Sequence, residues 1–192
     1  PESELILPPD FKKDILEFVD GFAESMEICA RLRIAPSRGI LFVGAPGTGK
    51  THTVRHICTR LTGFRICVLT VATLDAGSAW SFLKMLNNLS ETGERTIIIV
   101  EDIDRLFESN VLTPQFFLNV LDGDFQPVQP VLWLATSNDP RGFEANLLDR
   151  PGRFDRVFVF PFPGLDERRA FLHRYSPWPV SADVIEEVAA GS

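Results

Sequence analysis

Short apolar runs alternate along the chain with stretches in which apolar residues recur at helical spacing. The runs are rich in β-branched and aromatic residues, which is typical of strands. They lie at Gly39–Val43, Phe64–Val71, Thr96–Val100, Val131–Thr136 and Arg156–Phe160. Because these runs are almost continuously apolar, we expect both faces of the resulting sheet to be buried.

Helical patterns fill the connections between the first strands. They lie at Gly49–Leu61, Ala79–Leu89 and Pro114–Leu121, so each of the first three strands is expected to be followed by a crossover helix. Crossover helices join parallel strands. The pattern therefore predicts a three-layer α/β sandwich with a mainly parallel five-stranded sheet. A helical arm over Asp10–Ile34 has one apolar face and is expected to pack against that sheet.

The pattern changes after the turn residues Pro161-Phe162-Pro163-Gly164. Two short helical patterns follow, at Asp166–Tyr175 and Ala182–Ala190. We therefore predict one large α/β domain over residues 1–163 and the beginning of a truncated helical lid over residues 164–192.

The charge and cysteine content of the chain indicate which partners it binds and in which compartment it is located. The 192 residues include 26 acidic and 19 basic side chains, for a formal net charge of -7. The chain thus lacks the overall positive field of non-specific DNA-binding proteins. Three cysteines without a C-x-x-C pair favour a reducing compartment, and a cytoplasmic location is expected. No apolar run approaches the ~20 residues of a membrane-spanning helix, so no membrane segment is predicted.

The residues between the first strand and the next helix match the phosphate-binding pattern G-x-x-x-x-G-K-[ST]. They are Gly44, Ala45, Pro46, Gly47, Thr48, Gly49, Lys50 and Thr51. In such a loop, glycines let backbone N–H groups point at phosphate oxygens, and the following helix directs its positive end at the same place. We expect this loop to be exposed. Its lysine, Lys50, is predicted to reach the β- and γ-phosphates of a nucleotide. Thr51 is predicted to offer its hydroxyl to Mg²⁺.

Two carboxylates, Glu101 and Asp102, follow the strand Thr96–Val100. They stand at the carboxyl end of a parallel strand, which is the edge of the sheet where ligands bind. Carboxylates at this place are candidates for holding Mg²⁺ and for orienting a hydrolytic water. Since side chains alternate along a strand, we expect only one of the two to face the phosphate. Asp104 and Arg105 follow, and the sequence assigns them no role beyond solvation or pairing in the loop.

In this order, the two motifs resemble those of the AAA ATPase family. The resemblance includes Ala135-Thr136-Ser137-Asn138 after the fourth strand and the segment Asp149-Arg150-Pro151-Gly152-Arg153-Phe154-Asp155. It implies that Asn138 positions the attacking water, and that Arg150 and Arg153 reach the ATP of a neighbouring subunit. An always-charged guanidinium suits that role. Local ion pairs of the two arginines with neighbouring aspartates are the structural alternative.

Within the family, the pattern is closest to the branch that contains the mitochondrial Rieske-protein translocase and its bacterial relatives. The similarity rests on the order Glu101-Asp102 and on the segments Arg38–Phe42 and Leu118–Gly123. Most AAA proteins have Asp before Glu at the paired carboxylates. By position, the resemblance assigns Glu101 to Mg²⁺ and Asp102 to the water.

The resemblance implies an ATPase module with ATP and Mg²⁺ as cofactors. In this interpretation the chain forms a homo-oligomeric ring, a hexamer or a heptamer, and couples hydrolysis to the remodelling of a macromolecular client. A protein client is favoured over nucleic acid because the chain is acidic. Two alternatives stay open. One is a DNA-directed AAA+ ATPase, such as a helicase loader or transposition regulator, and the other is a non-catalytic, nucleotide-dependent scaffold.

Two further features have competing interpretations. Residues 71–80 lack the aromatic–hydrophobic–glycine tripeptide of rings that thread polypeptides. Trp80 is therefore interpreted as a packing residue in the first turn of a helix, with a pore contact as the alternative. Arg31, Arg33 and Arg38 cluster before the first strand and are interpreted as a solvated face, with a polyanion or a partner subunit as the alternative contact.

Overall fold

A computed structural model describes residues 5–70, 82–84, 86–88, 93–108, 113–121, 129–139, 154–176 and 181–190. Within these ranges, five strands form one sheet. They are β1 (Ser37–Val43), β2 (Arg65–Leu69), β3 (Thr96–Val100), β4 (Val131–Ser137) and β5 (Arg156–Val159). All five predicted strands are confirmed: β3 has the predicted ends, and the ends of the other strands lie within two residues of the predicted ones.

The described ranges also contain six helices with defined ends. They are α1 (Pro9–Leu32), α2 (Lys50–Arg60), α3 (Ile103–Glu108), α4 (Pro114–Asn119), α5 (Leu165–Tyr175) and α6 (Ala182–Ala190). Residues 82–84 and 86–88 are also helical, within the helix predicted over Ala79–Leu89. The sequence analysis placed Asp104 and Arg105 in a loop, whereas both belong to the short helix α3.

The strands are ordered β2-β3-β4-β1-β5, and every neighbouring pair is parallel. This confirms the predicted parallel α/β core. In the register of the sheet, Val43 at the end of β1 lies beside Ser137 of β4, and Val100 at the end of β3 lies beside Ala135. β1, β3 and β4 therefore end at the same edge of the sheet, where they are followed by the phosphate loop, by Glu101 and Asp102, and by Asn138.

One face of the sheet is covered by the N-terminal arm and α2. Helix α1 begins with Pro9 in its first turn, where a missing N–H costs nothing. It ends at Leu32 and is capped by Arg33, which has a left-handed backbone (φ 56°) and donates its N–H to the Ala30 carbonyl at 3.2 Å. Its buried side chains join a cluster with Phe42, Phe158 and other residues of the sheet. The predicted packing of the arm is confirmed.

The opposite face of the sheet carries a second apolar cluster around Trp133 of β4. The ring of Phe117 in α4 lies 5.9 Å from the Trp133 ring, and that of Phe82 lies 6.4 Å away. Both phenylalanines are fully buried. Since each face of the sheet has its own core, the three-layer architecture follows directly from strands that are apolar on both sides.

Helices α5 and α6 pack against each other near the end of the chain. Arg169 of α5 bonds to Glu186 of α6 and lies 3.2 Å from Asp166 on its own helix. The boundary between an α/β domain and a helical lid after residue 163 stays a prediction. Among the described residues, no helix combines the length and the apolar character needed to cross a lipid bilayer.

The aromatic cluster gives a stability prediction with a control of the same residue type. Phe117→Ala should lower the free energy of unfolding by about 3–5 kcal/mol, since it leaves a cavity under Trp133. Phe162→Ala removes a ring that is 78% exposed and should cost less than about 0.5 kcal/mol. Urea unfolding of both variants measures the difference, and equal losses would contradict this account of the core.

Candidate nucleotide-binding and catalytic site

The predicted phosphate loop connects β1 to α2 at the carboxyl edge of the sheet. Its first residue, Gly44, donates its N–H to the Ser137 carbonyl at 3.2 Å, which ties the loop to the end of β4. A Cβ atom at Gly44 would meet Phe160 at 2.9 Å. Gly47 and Gly49 have φ values of 82° and 100°, which side chains disfavour. The glycines of the motif are thus required by close approach and by backbone conformation.

Lys50 lies inside the loop rather than on its surface. Its side chain is buried, and its ammonium donates to the carbonyls of Gly44 at 2.6 Å and Ala45 at 2.9 Å. The expectation of an exposed loop is therefore wrong for Lys50, although Pro46 and Gly47 are exposed. The physical reason is that the loop wraps its own carbonyl groups around the cation.

The electrostatic setting of Lys50 links the loop to the predicted carboxylates. Burial lowers the pKa of the Lys50 ammonium, and the negative charges of Asp102 and Asp104 act in the opposite direction. No side chain caps the start of α2, where the N–H groups of a first helical turn have no partner within the helix. An ammonium beside such a helix end is a fitting receptor for phosphate, so the donors present fit a nucleotide.

Glu101 and Asp102 form a turn between β3 and α3 instead of continuing the strand. Side chains alternate between faces only within a strand, and this pair is not in a strand. The expectation that only one of the two faces the phosphate, which rested on that alternation, is therefore wrong in its premise. Asp102 has a left-handed backbone (φ 49°), a conformation that aspartate tolerates better than most residues. Its N–H donates to the Thr136 hydroxyl of β4 at 3.0 Å. This bond holds the turn against the neighbouring strand.

Asp102 and Asn138 are in direct contact. The Asn138 side-chain amide donates to Oδ1 of Asp102 at 2.9 Å. The backbone N–H of Asn138 lies 3.3 Å from Oδ1 of Asp104, to which it donates. The pairing of β3 with β4 thus brings together two residues that the sequence had singled out separately. It also adds Asp104, which sequence reasoning had left without a role.

The side chains of Arg105 and Glu101 differ in whether they interact with other described residues. Nε of Arg105 lies 3.8 Å from Oδ2 of Asp102. Glu101 donates its backbone N–H to the Leu69 carbonyl at 3.4 Å, but its carboxylate makes no hydrogen bond or ion pair in the described part of the chain. With the half-buried Thr51 in the first turn of α2, Glu101 supplies the hard oxygen donors that suit Mg²⁺.

Three predicted features lie outside the described residues, namely Arg150, Arg153 and Trp80. Their neighbour Asp155 is described. Its carboxylate accepts the Gly39 N–H at 2.6 Å, and its own N–H donates to the Gly39 carbonyl at 2.8 Å. Asp155 therefore fixes the start of β5 beside β1.

The sequence has also been compared with known protein families. The model of the ATPase family associated with various cellular activities (AAA) matches residues 40–162, which contain the phosphate loop, the carboxylate pair and Asn138. The chain belongs to the AAA family. Family membership confirms the predicted ATPase class, with ATP and Mg²⁺ as its cofactors.

The chain is also similar to individual proteins. The chain is 32% identical over 176 residues to an ATP-dependent zinc metalloprotease FtsH of Acidothermus cellulolyticus, with 84% of this chain and 26% of that protein covered. It is 30% identical over 173 residues to the 26S proteasome regulatory subunit S10B homolog B of Arabidopsis thaliana, covering 83% and 43%. A proteasome-activating nucleotidase of Saccharolobus islandicus is 27% identical over 176 residues, covering 85% and 44%.

The chain thus spans from about a quarter to less than half of the length of these AAA relatives. The narrower resemblance to the branch of the Rieske-protein translocase stays a prediction.

The buried ammonium predicts the effect of removing one charge from this AAA site. Lys50→Met keeps the aliphatic stem but removes the cation, and should weaken ATP binding roughly 100-fold, because a hydrogen bond from a charged donor contributes about 1.5–3 kcal/mol. Lys13→Met removes an exposed lysine of α1 and should leave the affinity unchanged. Titration with a fluorescent ATP analogue measures both, and near-normal affinity in a folded Lys50→Met protein would contradict the assignment.

Proposed function

We propose that this chain is the ATP-hydrolysing module of an AAA protein that remodels a protein client. The observation that carries the proposal is the contact between Asp102 and Asn138, at the edge of the sheet that also holds the buried ammonium of Lys50. A site that only bound nucleotide would need the phosphate loop alone. A carboxylate paired with an amide beside that loop has the chemistry needed to orient a water for hydrolysis.

In this proposal the phosphate loop binds ATP, and Thr51 and Glu101 hold Mg²⁺. The N–H groups at the start of α2 and the Lys50 ammonium bind the phosphate oxygens. When bound, Mg²⁺ would compensate the negative charge of the phosphates. The role of Glu101 is supported by its carboxylate, which is unengaged within the described part of the chain, whereas that of Asp102 is bonded to Asn138.

Asp102 is assigned to the hydrolytic water. The bond from Asn138 occupies part of the hydrogen-bonding capacity of Oδ1, and a carboxylate oxygen accepts more than one hydrogen bond. Asp102 can therefore hold the Asn138 amide and accept a hydrogen bond from water simultaneously. Asp104 acts as a positioning residue, since it accepts the backbone N–H of Asn138. The side chain of aspartate is one methylene shorter than that of glutamate. The left-handed backbone at Asp102 sets the position from which this shorter side chain extends.

Arg150 and Arg153 are proposed to act on the ATP of a neighbouring subunit in a homo-oligomeric ring, a hexamer or a heptamer. The support is their place in the motif Asp149–Asp155 and the chemistry of guanidinium, which donates two parallel hydrogen bonds to phosphoryl oxygens. Contribution in trans makes hydrolysis depend on assembly.

A protein client is favoured by the relatives. The names of three of them refer to a protease or to the proteasome, and proteins are what those machines degrade. The net charge of -7 argues against a DNA-directed ATPase. We also propose a cytoplasmic location, which is supported by the three cysteines, all of them thiols without a disulfide.

The two carboxylates give the sharpest test of hydrolysis. Asp102→Asn should retain ATP binding but lower turnover roughly 100-fold or more, about 3 kcal/mol of transition-state stabilisation, because a neutral amide lacks the negative charge and the basicity with which the carboxylate activates the water. Glu101→Gln should lower turnover and also raise the Mg²⁺ concentration needed for half-maximal activity, since it removes a negative charge from the metal site. Steady-state phosphate release measured against Mg²⁺ concentration separates the two variants.

Asp14→Asn, on the exposed face of α1, is the matched control and should behave like the unmodified chain. If the phenotypes of the two site variants were exchanged, the roles of Glu101 and Asp102 would be the reverse of those proposed. Unchanged turnover in both variants would reject a catalytic role for either carboxylate. A complete lack of hydrolysis by the unmodified chain in its assembled form would favour the scaffold alternative, and stimulation by DNA would favour a DNA-directed ATPase.

The arginine proposal predicts complementation between two inactive variants. Activity per subunit should rise with protein concentration, and mixing Arg150→Ala or Arg153→Ala with Lys50→Met should restore part of the activity. In some mixed interfaces, an intact nucleotide site meets an intact arginine. Phosphate release across a series of mixing ratios measures this effect. A full rate in a monomer, independent of concentration, would contradict action in trans.

A further inference from the structure

A cavity of about 350 Å³ lies at the amino ends of the strands, on the edge of the sheet opposite the phosphate loop. It lies between the last turns of α1 and the residues that enter β1, β3 and β4. The residues that line it are Met26, Ala30, Arg33, Ile34, Ala35, Arg95, Gln129 and Pro130. None of them belongs to the nucleotide site, so the proposed ATPase function does not account for this cavity.

Two arginines, Arg33 and Arg95, are among the residues that line this cavity. Arg33 caps α1 and Arg95 precedes β3, and both are exposed. Within the described residues, neither side chain makes a hydrogen bond or an ion pair. The adjacent Arg65 differs, because it forms an ion pair with Glu94 at 3.3 Å. Two uncompensated cations at one cleft are notable in a chain with a net charge of -7.

The structure separates the arginine cluster that the sequence placed before β1. Arg38 packs its guanidinium on the rings of Phe18 and Phe22, at 4.9 and 5.8 Å, and donates to the Phe18 carbonyl. Arg38 is therefore a residue of β1 that packs against α1. Arg33 instead shares the cleft with Arg95, which the fold brings from a distant part of the chain. The interpretation as a solvated face is therefore wrong for Arg38, whereas Arg31 and Arg33 are exposed as predicted.

The rest of the lining is mainly apolar. Met26, Ala30, Ala35 and Pro130 contribute hydrocarbon surface, and Ile34 is 57% exposed at the cleft. A nucleic acid would require a longer row of cations to compensate successive phosphates. Apolar surface next to two cations instead matches a peptide in which acidic and apolar side chains are neighbours. The cavity volume of about 350 Å³ can hold a few side chains but not a folded domain.

We infer that this cleft binds an extended segment of a partner protein in which an acidic side chain stands next to an aliphatic or aromatic one. Arg33 and Arg95 bind the carboxylate, since guanidinium groups donate paired hydrogen bonds to carboxylate oxygens. The neighbouring apolar side chain covers Ile34 and the hydrocarbon lining.

Fluorescence anisotropy with labelled decapeptides tests this inference. The probe peptides alternate glutamate and aspartate with leucine and phenylalanine, and a matched set carries glutamine and asparagine in place of the acids. We expect saturable binding of the acidic set, at least tenfold tighter than that of the neutral set and weakened by salt. A labelled 20-nucleotide oligothymidylate is the third probe and should bind more weakly than the acidic peptides.

Substitutions of single arginines test whether the acidic peptides bind at this cleft. Arg33→Glu and Arg95→Glu should each weaken binding of the acidic peptides at least tenfold, and Arg95→Gln should weaken it less. Arg55→Glu makes the same change of charge on an exposed position of α2 and should leave binding within twofold of the unmodified chain. ATP affinity should be unchanged in all four variants, which verifies that the fold and the nucleotide site are intact.

Several outcomes would overturn the inference. They are the absence of saturable peptide binding, equal affinity for the acidic and neutral sets, and an equal loss of binding in Arg55→Glu. Tighter binding of the oligonucleotide than of the acidic peptides would assign the cleft to nucleic acid instead. Because ATP hydrolysis is not the readout, failure here would leave the proposed function standing.

Discussion

The parallel pairing of β4 with β1 on one side and β3 on the other is the constraint on which the site depends. β4 lies beside both strands that lead into predicted site segments. Its register places the end of β1, the end of β3 and Asn138 at one edge of the sheet. The Gly44 N–H bonds to Ser137, and the Asp102 N–H bonds to Thr136. Both the phosphate loop and the carboxylate turn are thus attached to the same strand.

The carboxylate turn shows how one backbone conformation shapes the chemistry of the site. The left-handed conformation at Asp102 ends β3 and begins α3. It also directs the carboxylate of Asp102 toward Asn138, while that of Glu101 stays unengaged in the described part of the chain. The unusual order of the two acids is therefore compatible with separate roles. The separation comes from the turn and from β4, and not from alternation along a strand.

The two edges of the sheet have different surfaces. The carboxyl edge combines the buried ammonium of Lys50 with three carboxylates, at Glu101, Asp102 and Asp104, which is a surface suited to a nucleotide and its metal. The amino edge has apolar surface and two arginines, Arg33 and Arg95, that pair with none of the described residues, and it lies opposite the nucleotide site. A parallel sheet separates these edges by the length of its strands, so one edge can bind a partner segment while the other binds ATP.

The sequence by itself determined the five strands, the helical arm, the phosphate loop and the family, because each depends on local pattern. Continuous apolar runs form buried strands wherever they are placed, and the G-x-x-x-x-G-K-[ST] loop has its conformation built into its glycines. Only the tertiary structure decided that Lys50 is buried, that Asp102 contacts Asn138, that Asp104 supports Asn138, and that Arg33 and Arg95 line one cavity. Asp102 and Asp104 lie far from Asn138 in the chain, as Arg33 does from Arg95. Strand order and register bring these residues together, and no local pattern encodes either. The burial of Lys50 is local, but it depends on how the loop closes against β4 and Phe160, which lie far from it in sequence.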